Sequence, residues 1–474
     1  MQTIEINWVK KEVYSMDYDV LVLGGGIIGC SVAYELSKYN LNIALIERDY
    51  DVVDDISFVN ASVIYDGAET SNIETSSLEV IGNRLVHEAC KKFNVKFDKI
   101  GGLRIAEDDE KLIKVKEMYN RATKRGIHNI KLLSPEETYK LEPNLKIDIK
   151  GAMYSEDISI VNPYELAIAY GEVAADNGVI FRFEEEVVDI KTITKGVRVT
   201  TNKNRFTAKL VINTTSEELF VKSSQKEVNS VSKNMKYVIL DNNKLNRIII
   251  EDINDKSFVL NYPTEYAGSV LCIKNENVLG IKEAITLGKR LVSDITKDNI
   301  CNIFDDNRDD CLIIDDSKIE SGYIRVAGNH YGKVTLSPAI AKVISDKIAK
   351  SLSCTKKKEF VDKRRELYKF RELDQDKINE LIKIDRRYGN IVCVCNKVSE
   401  GEIVECIRRP LGARTVEGVK RRTGAGLGSC HGSYCERKII SILADELGKK
   451  EMEIVQDSED SRIWLNRIKE FNQI

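Results

Sequence analysis

Three glycines in a fixed rhythm constrain this chain most: Gly24, Gly26 and Gly29, in the run Gly24-Gly-Gly-Ile-Ile-Gly29. Before them stands Asp19-Val-Leu-Val-Leu23, a continuous apolar run of the kind a buried parallel strand shows. After them Ile28, Val32 and Leu36 recur at helical spacing. Asn42-Ile-Ala-Leu-Ile-Glu47 then reads as a second buried strand. Strand, glycine turn, helix and strand make one βαβ unit, so the pattern predicts a Rossmann-like α/β domain. Gly24 permits the tight turn, Gly26 lets backbone approach a pyrophosphate at the helix N-terminus, and Gly29 lets helix and strand pack closely. A carboxylate at Glu47 can accept both hydroxyls of an adenosine ribose and repels a 2′-phosphate, which disfavours NADP. The spacing does not separate NAD from FAD.

A chain of 474 residues is longer than one core usually serves, so two or three domains are expected. Its net charge of −3 argues against a nucleic-acid partner and against a basic membrane-binding skin. The opening residues lack the apolar stretch of a signal peptide, and no apolar run reaches the roughly 20 residues of a membrane span. The expectation is a cytoplasmic protein with no direct membrane span.

In that compartment the 11 cysteines are not expected to form disulfides. Cys30, Cys90, Cys272, Cys301, Cys311, Cys354 and Cys406 are scattered and read as small apolar residues. The other four are grouped: Cys393-Val-Cys395, then Cys430-His-Gly-Ser-Tyr-Cys435. Four thiolates are what a [2Fe–2S] cluster requires. Gly424, Gly426, Gly428 and Gly432 would let amides turn toward the sulfurs, and Arg421 and Arg422 would offset the cluster's charge. A structural zinc is the alternative, although C-x-C is tighter than the usual zinc spacing. His431 reads as a surface or supporting polar residue.

Between these landmarks, residues 75–135 look mostly helical and end near a cap at Ser134-Pro135-Glu136-Glu137. A helix is predicted over 164–176, alternating strands over 179–213, and an antiparallel sheet over 236–285. Ile324-Arg-Val-Ala327 reads as a strand, and a helix is predicted to begin at Ser337-Pro338. Residues 355–389 are dense in charge and read as a solvated connector.

Further motifs carry a family resemblance. They are Leu141-Glu-Pro-Asn-Leu145, Ile160-Val-Asn-Pro-Tyr-Glu-Leu166, Val326-Ala-Gly328 with Ser337-Pro-Ala-Ile-Ala341, and Gly412-Ala-Arg-Thr through Cys435. With the glycine loop, they make residues 17–215 and 320–445 resemble the D-amino-acid-oxidase-like FAD oxidoreductases. The branch is that of anaerobic glycerol-3-phosphate dehydrogenase and 2-hydroxyglutarate oxidase, with a C-terminus similar to the bacterioferritin-associated-ferredoxin-like [2Fe–2S] domain. The resemblance implies an α/β FAD-binding domain interleaved with an α+β antiparallel-sheet substrate domain, plus a small helical [2Fe–2S] domain. The FAD oxidoreductase unit would run over 17–354. Its FAD segments would be about 17–75, 150–216 and 320–354, and its cap segments about 76–149 and 217–319. The connector would span 355–389 and the cluster domain 390–445.

The same resemblance implies FAD contacts at Gly24, Gly26, Gly29, Glu47, Ser57, Asn60, Val187 and Gly328, and cluster ligands at Cys393, Cys395, Cys430 and Cys435. This chain departs from the family at several of its flavin-side positions. Asp55 replaces a glycine, Tyr65 stands where a histidine falls, Thr214-Thr215-Ser216 lacks a glycine, and Gly332-Lys333 replaces a proline–glycine pair. Arg308 sits where the family has a substrate-binding arginine, so Arg308, Lys333 and Tyr65 are the candidate catalytic residues for a small anionic substrate. The implied chemistry is hydride transfer from a hydroxy acid or polyol phosphate to flavin, with electrons leaving through the cluster to a partner redox subunit. Two alternatives stay open: a catalytically weakened electron-transfer or assembly subunit, and an amine or amino-acid oxidase component. The departures predict slow turnover by the isolated chain.

Overall fold

A computed structural model describes residues 16–53, 62–215, 233–241, 245–254, 257–264, 268–275, 277–308 and 311–464. The apolar run after Asp17 forms strand Tyr18–Leu23 at the centre of an eight-stranded sheet. It pairs in parallel with Ile43–Ile46 on one side and Arg205–Asn213 on the other. Ile180–Arg182 and Tyr323–Ala327 extend the parallel set outward. Helices Ile27–Ser37, Ile73–Phe93, Pro163–Asp176 and Lys333–Ser351 bury their apolar stripes in one core with this sheet. On its other side Ile190, Val197 and Val199 pack with Leu21, Leu23, Ala44 and Ile46.

A second sheet also has eight strands. In order they are Ile300–Arg308, Lys233–Leu240, Ser269–Asn275, Ser257–Pro263, Ile248–Asn254, Gly102–Ala106, Gly151–Ser155 and Ile130–Leu133. All its neighbours are antiparallel except Ile248–Asn254 with Gly102–Ala106. The antiparallel sheet expected over 236–285 is therefore present and wider than its sequence signal.

The stretch 75–135 differs from the helical reading. It holds helices Ile73–Phe93 and Asp109–Lys124, but also strands Gly102–Ala106 and Ile130–Leu133. The strand is masked in sequence because Arg104 lies between Leu103 and Ile105 and is itself buried, paired with Asp66 at 3.0 Å. An inward charge breaks the apolar signature while the backbone stays extended. Helix Ile73–Phe93 also joins the core of the glycine-loop sheet through Val86, Ala89, Cys90 and Phe93, so the segment 76–149 divides between the two sheets. The cap at Ser134 forms as read, with reciprocal bonds between Ser134 and Glu137.

The last helix of this unit starts at Lys333, four residues before the predicted start, and contains Pro338. Proline has no N–H to offer the carbonyl four residues back. The Ser337 hydroxyl donates to that Val334 carbonyl instead, at 3.0 Å, which lets the helix run through.

The connector 355–389 is charged but not simply solvated. Arg364 donates to Glu172 at 2.6 Å, and Lys369 to Glu165 at 3.0 Å. Arg409, beyond the connector, closes on the other side of Glu172 at 2.6 Å. Burial works against ionising Glu172, yet the flanking guanidiniums of Arg364 and Arg409 hold its carboxyl below the usual range. Helices Glu400–Arg408, Val416–Thr423 and Glu436–Leu447 then pack around Ile403, Val419, Ile439 and Leu443. This small unit also reaches outward: Leu411 enters the core of the glycine-loop sheet. A methyl on Gly171 would lie 2.6 Å from Leu411 Cδ1, so Gly171 leaves the notch that Leu411 fills.

Candidate functional site

The glycine loop has the geometry its spacing predicts. Gly24 adopts φ +97° and donates to Ile46 O at 2.9 Å. A methyl on Gly29 would stand 1.9 Å from Gly24 O, so helix and turn are in backbone contact there. Gly26 is the opposite case: it is the N-cap of helix Ile27–Ser37, and nothing lies within 4 Å of where its methyl would be. A closely packed turn facing open space at a helix N-terminus fits a pyrophosphate. Glu47 accepts Gly25 N–H at 2.5 Å and Asp49 N–H at 3.1 Å. Burial pushes its carboxyl up, and those backbone amides pull it back toward ionisation. Two bonds occupy part of a carboxylate's acceptor capacity and leave room for ribose hydroxyls.

Val187 begins the strand two residues after Glu185, whose N–H donates to Glu47 O at 3.0 Å. Gly328 follows strand Tyr323–Ala327 at φ +104°. Thr214 crosses to the glycine loop, its hydroxyl donating to Leu23 O at 2.8 Å. Ser57 and Asn60, with Asp55 and Ser216, lie outside the described residues.

Of the candidate catalytic residues, Tyr65 meets the helix that Lys333 opens. The Tyr65 N–H donates to Thr335 Oγ1 at 3.1 Å, and its ring sits edge-on to Tyr331 with centroids 4.8 Å apart. The His330 ring lies tilted against Tyr331, with centroids 4.2 Å apart, and accepts Gly332 N–H at 3.0 Å. Tyr65 and Tyr331 share one apolar cluster with Met235, Tyr237, Leu260, Tyr262 and Phe304 of the second sheet. Arg308 ends strand Ile300–Arg308, opposite Lys233 in the register.

Sequence reasoning missed Glu79, which is fully buried beneath this loop. A methyl on Gly332 would lie 2.6 Å from Glu79 Oε1. Burial, with repulsion from Glu69 and Asp66, pushes the Glu79 carboxyl up to about 8. Its signal was present: Ser76, Glu79, Asn83, Val86, Cys90 and Phe93 form the buried stripe of one helix, with the polar residues at its first turns.

The four cysteines lie near one another: Cys430 interacts with Cys395, and Cys435 with both Cys393 and Cys430. Contact with Cys395, then the amides of Tyr434 and Gly432, draws the Cys430 thiol below its usual range. Burial, then Cys393, pushes Cys435 up to about 11. The cysteine loop is closely packed, since a methyl on Gly428 would lie 2.3 Å from Cys395 Cβ. Among the described residues no three His, Cys, Asp or Glu side chains converge as on a single metal ion. Four thiolates are what a [2Fe–2S] cluster takes. The expected arginines are engaged elsewhere: Arg421 reaches Asp457 at 2.8 Å and Arg422 forks onto Asp51 at 2.5 and 2.7 Å.

Residues 19–241 match the model of the FAD dependent oxidoreductase family, and residues 391–445 that of the BFD-like [2Fe-2S] binding domain. A glycerol 3-phosphate dehydrogenase of Caloramator mitchellensis is 34% identical, over 94% of this chain and 98% of its own. The chain belongs to the FAD-dependent oxidoreductase family. Its cofactors are FAD and a [2Fe–2S] cluster. A glycerol 3-phosphate oxidase of Mycoplasma pneumoniae is 29% identical, over 40% of this flavoprotein and half of its own length. A solved structure of L-alpha-glycerophosphate oxidase from the same organism, with FAD bound, superposes with a TM-score of 0.65 at 22% identity. It covers 74% of this chain and 99% of its own and shares the fold. No helix among the described residues of this oxidoreductase is long and apolar enough to cross a membrane.

Proposed function

We propose that this flavoprotein oxidises glycerol 3-phosphate, or a closely related polyol phosphate or hydroxy acid, and passes the electrons through its [2Fe–2S] cluster to a partner redox subunit. The observation that carries the reading is the similarity, along nearly the whole chain, to a glycerol 3-phosphate dehydrogenase. FAD, when bound, supplies the hydride acceptor. The chain's own part is to bind and orient. Lys333 opens a helix beside the Tyr65–Tyr331 pair and brings a cation to a site for an anionic substrate. Arg308 is proposed to grip the same anion, since a guanidinium binds phosphate or carboxylate bidentately. Tyr65 takes the place of a family histidine and orients the substrate hydroxyl.

The tyrosine-rich contact between the two sheets favours a second reading, an electron-transfer or assembly subunit with weak turnover. Productive transfer needs reacting atoms within about 3–3.5 Å, and Tyr65, Tyr237, Tyr262 and Tyr331 pack where a reshaped pocket would have to open. Anaerobic mixing separates the readings. Glycerol 3-phosphate should bleach the bound flavin slowly in the isolated chain, and an artificial one-electron acceptor that drains the cluster should return the flavin's colour while the acceptor itself is reduced. Bleaching by a small amino acid and by neither glycerol 3-phosphate nor 2-hydroxyglutarate would overturn the proposal.

A further inference from the structure

A continuous set of contacts runs from the ribose-side acid to a cluster cysteine. Glu47 holds Gly25 through its N–H at 2.5 Å, and Gly25 O accepts Val53 N–H at 3.1 Å. One turn back, Asp51 accepts Val52 N–H at 2.8 Å and takes both arms of Arg422. Arg422 is fixed further by Gly418 O at 3.0 Å and Leu411 O at 2.6 Å. Two residues on, Gly424 O accepts the Asn396 side chain at 2.6 Å, and Asn396 follows Cys395. The ion pair itself is almost fully enclosed, with side chains 3% and 2% exposed. A buried, bidentate charge pair has one good geometry and a high cost for losing it. Each end of this path sits within a few residues of a cofactor cradle.

We propose that the Asp51–Arg422 pair makes the two cofactor sites bind cooperatively, with Arg422 a positioning residue for the loop that follows Glu47. An assembled cluster anchors the Cys395 loop, and with it Gly424 and Arg422; Arg422 then holds Asp51, and the 51–53 turn supports Gly25. Losing the cluster frees one end of the path and loosens the other. Coupling free energies of this type correspond to about 5–150-fold in affinity, and linkage makes them reciprocal. The proposal rests on the identity of the cofactors and is indifferent to the substrate, so failure to oxidise glycerol 3-phosphate leaves it standing.

The test needs no turnover. FAD affinity is measured by quenching of flavin fluorescence on deflavinated full-length protein, once with the cluster intact and once after it is stripped with a chelator. The expected result is about tenfold weaker FAD binding without the cluster, and cluster bleaching by chelator about tenfold faster without FAD. In Asp51→Asn and Arg422→Gln proteins each cofactor still binds, but both ratios fall toward one. Arg422→Lys keeps the charge and loses the fork, so it should retain part of the coupling. Equal FAD affinity with and without the cluster in the unaltered protein would overturn the proposal even if every variant failed to fold. Undiminished coupling in folded Asp51→Asn would overturn the assignment to this pair.

Discussion

The two ends of the FAD-binding unit are built in opposite ways. At the pyrophosphate end, backbone does the shaping: Gly29 touches Gly24 O, Gly26 faces open space, and Glu47 is gripped by amides. At the end proposed to take the substrate, side chains from four separate stretches do it: Tyr65, Glu79, His330 with Tyr331, and the tyrosines of the second sheet. The first end tolerates few substitutions because backbone cannot step aside. The second can be rebuilt residue by residue, and the departures at Tyr65 and Lys333 fall there, although the one at Thr214-Thr215 lies against the glycine loop.

The largest effect should come from Gly29→Ala. Its methyl would collide with a carbonyl oxygen at 1.9 Å, and a backbone clash in a packed layer costs about 3 kcal/mol. Loss of bound FAD together with a lower melting temperature is expected; a fully loaded, equally stable protein would break the contrast between the two ends. Next comes Glu79. Its carboxyl is raised to about 8 in the folded chain, so the folded state keeps a proton that the unfolded state releases. Stability from this group is full below the ordinary glutamate range and lost as pH rises toward 8, at roughly 1.4 kcal/mol per pH unit. Glu79→Gln should flatten that decline in denaturant titrations between pH 5 and 8.

These two residues also mark what was legible in the sequence. Gly29 could be read because its role needs only a spacing and two flanking periodicities. Glu79 shows in the sequence only as a place on the helical stripe with Ser76, Asn83 and Val86; its burial could not be read, because a carboxylate on an amphipathic helix ordinarily faces water and Gly332 reaches it from far along the chain. Arg104 hid a strand for the same reason, its partner Asp66 lying far away in sequence. The cysteine pattern discloses the cluster domain but suggests Arg422 as its neighbour, because adjacency in sequence says nothing about direction, whereas the guanidinium turns to Asp51. The connector's charge density reads as solvation, whereas Arg364 and Lys369 face the buried Glu172 and Glu165.

Two smaller tests sharpen the comparison. Gly26→Ala adds a methyl that meets no protein atom within 4 Å. It should leave the melting temperature of FAD-free protein unchanged and weaken FAD about tenfold, or 1.4 kcal/mol, by flavin-fluorescence titration. Tyr65→Phe keeps the ring against Tyr331 and removes only the hydroxyl. Stability should change by less than about 1 kcal/mol in thermal melts, while flavin bleaching by glycerol 3-phosphate slows.

The notch at Gly171 has a consequence for how the chain is made. Leu411 fills it from the far end of the sequence. Domains generally fold as units and in order as they leave the ribosome. Here the glycine-loop domain emerges first, yet one piece of its interior arrives more than two hundred residues after Gly171 itself. Until then the nascent domain carries an open apolar notch. Its completion waits on the synthesis of the unit that will hold the iron.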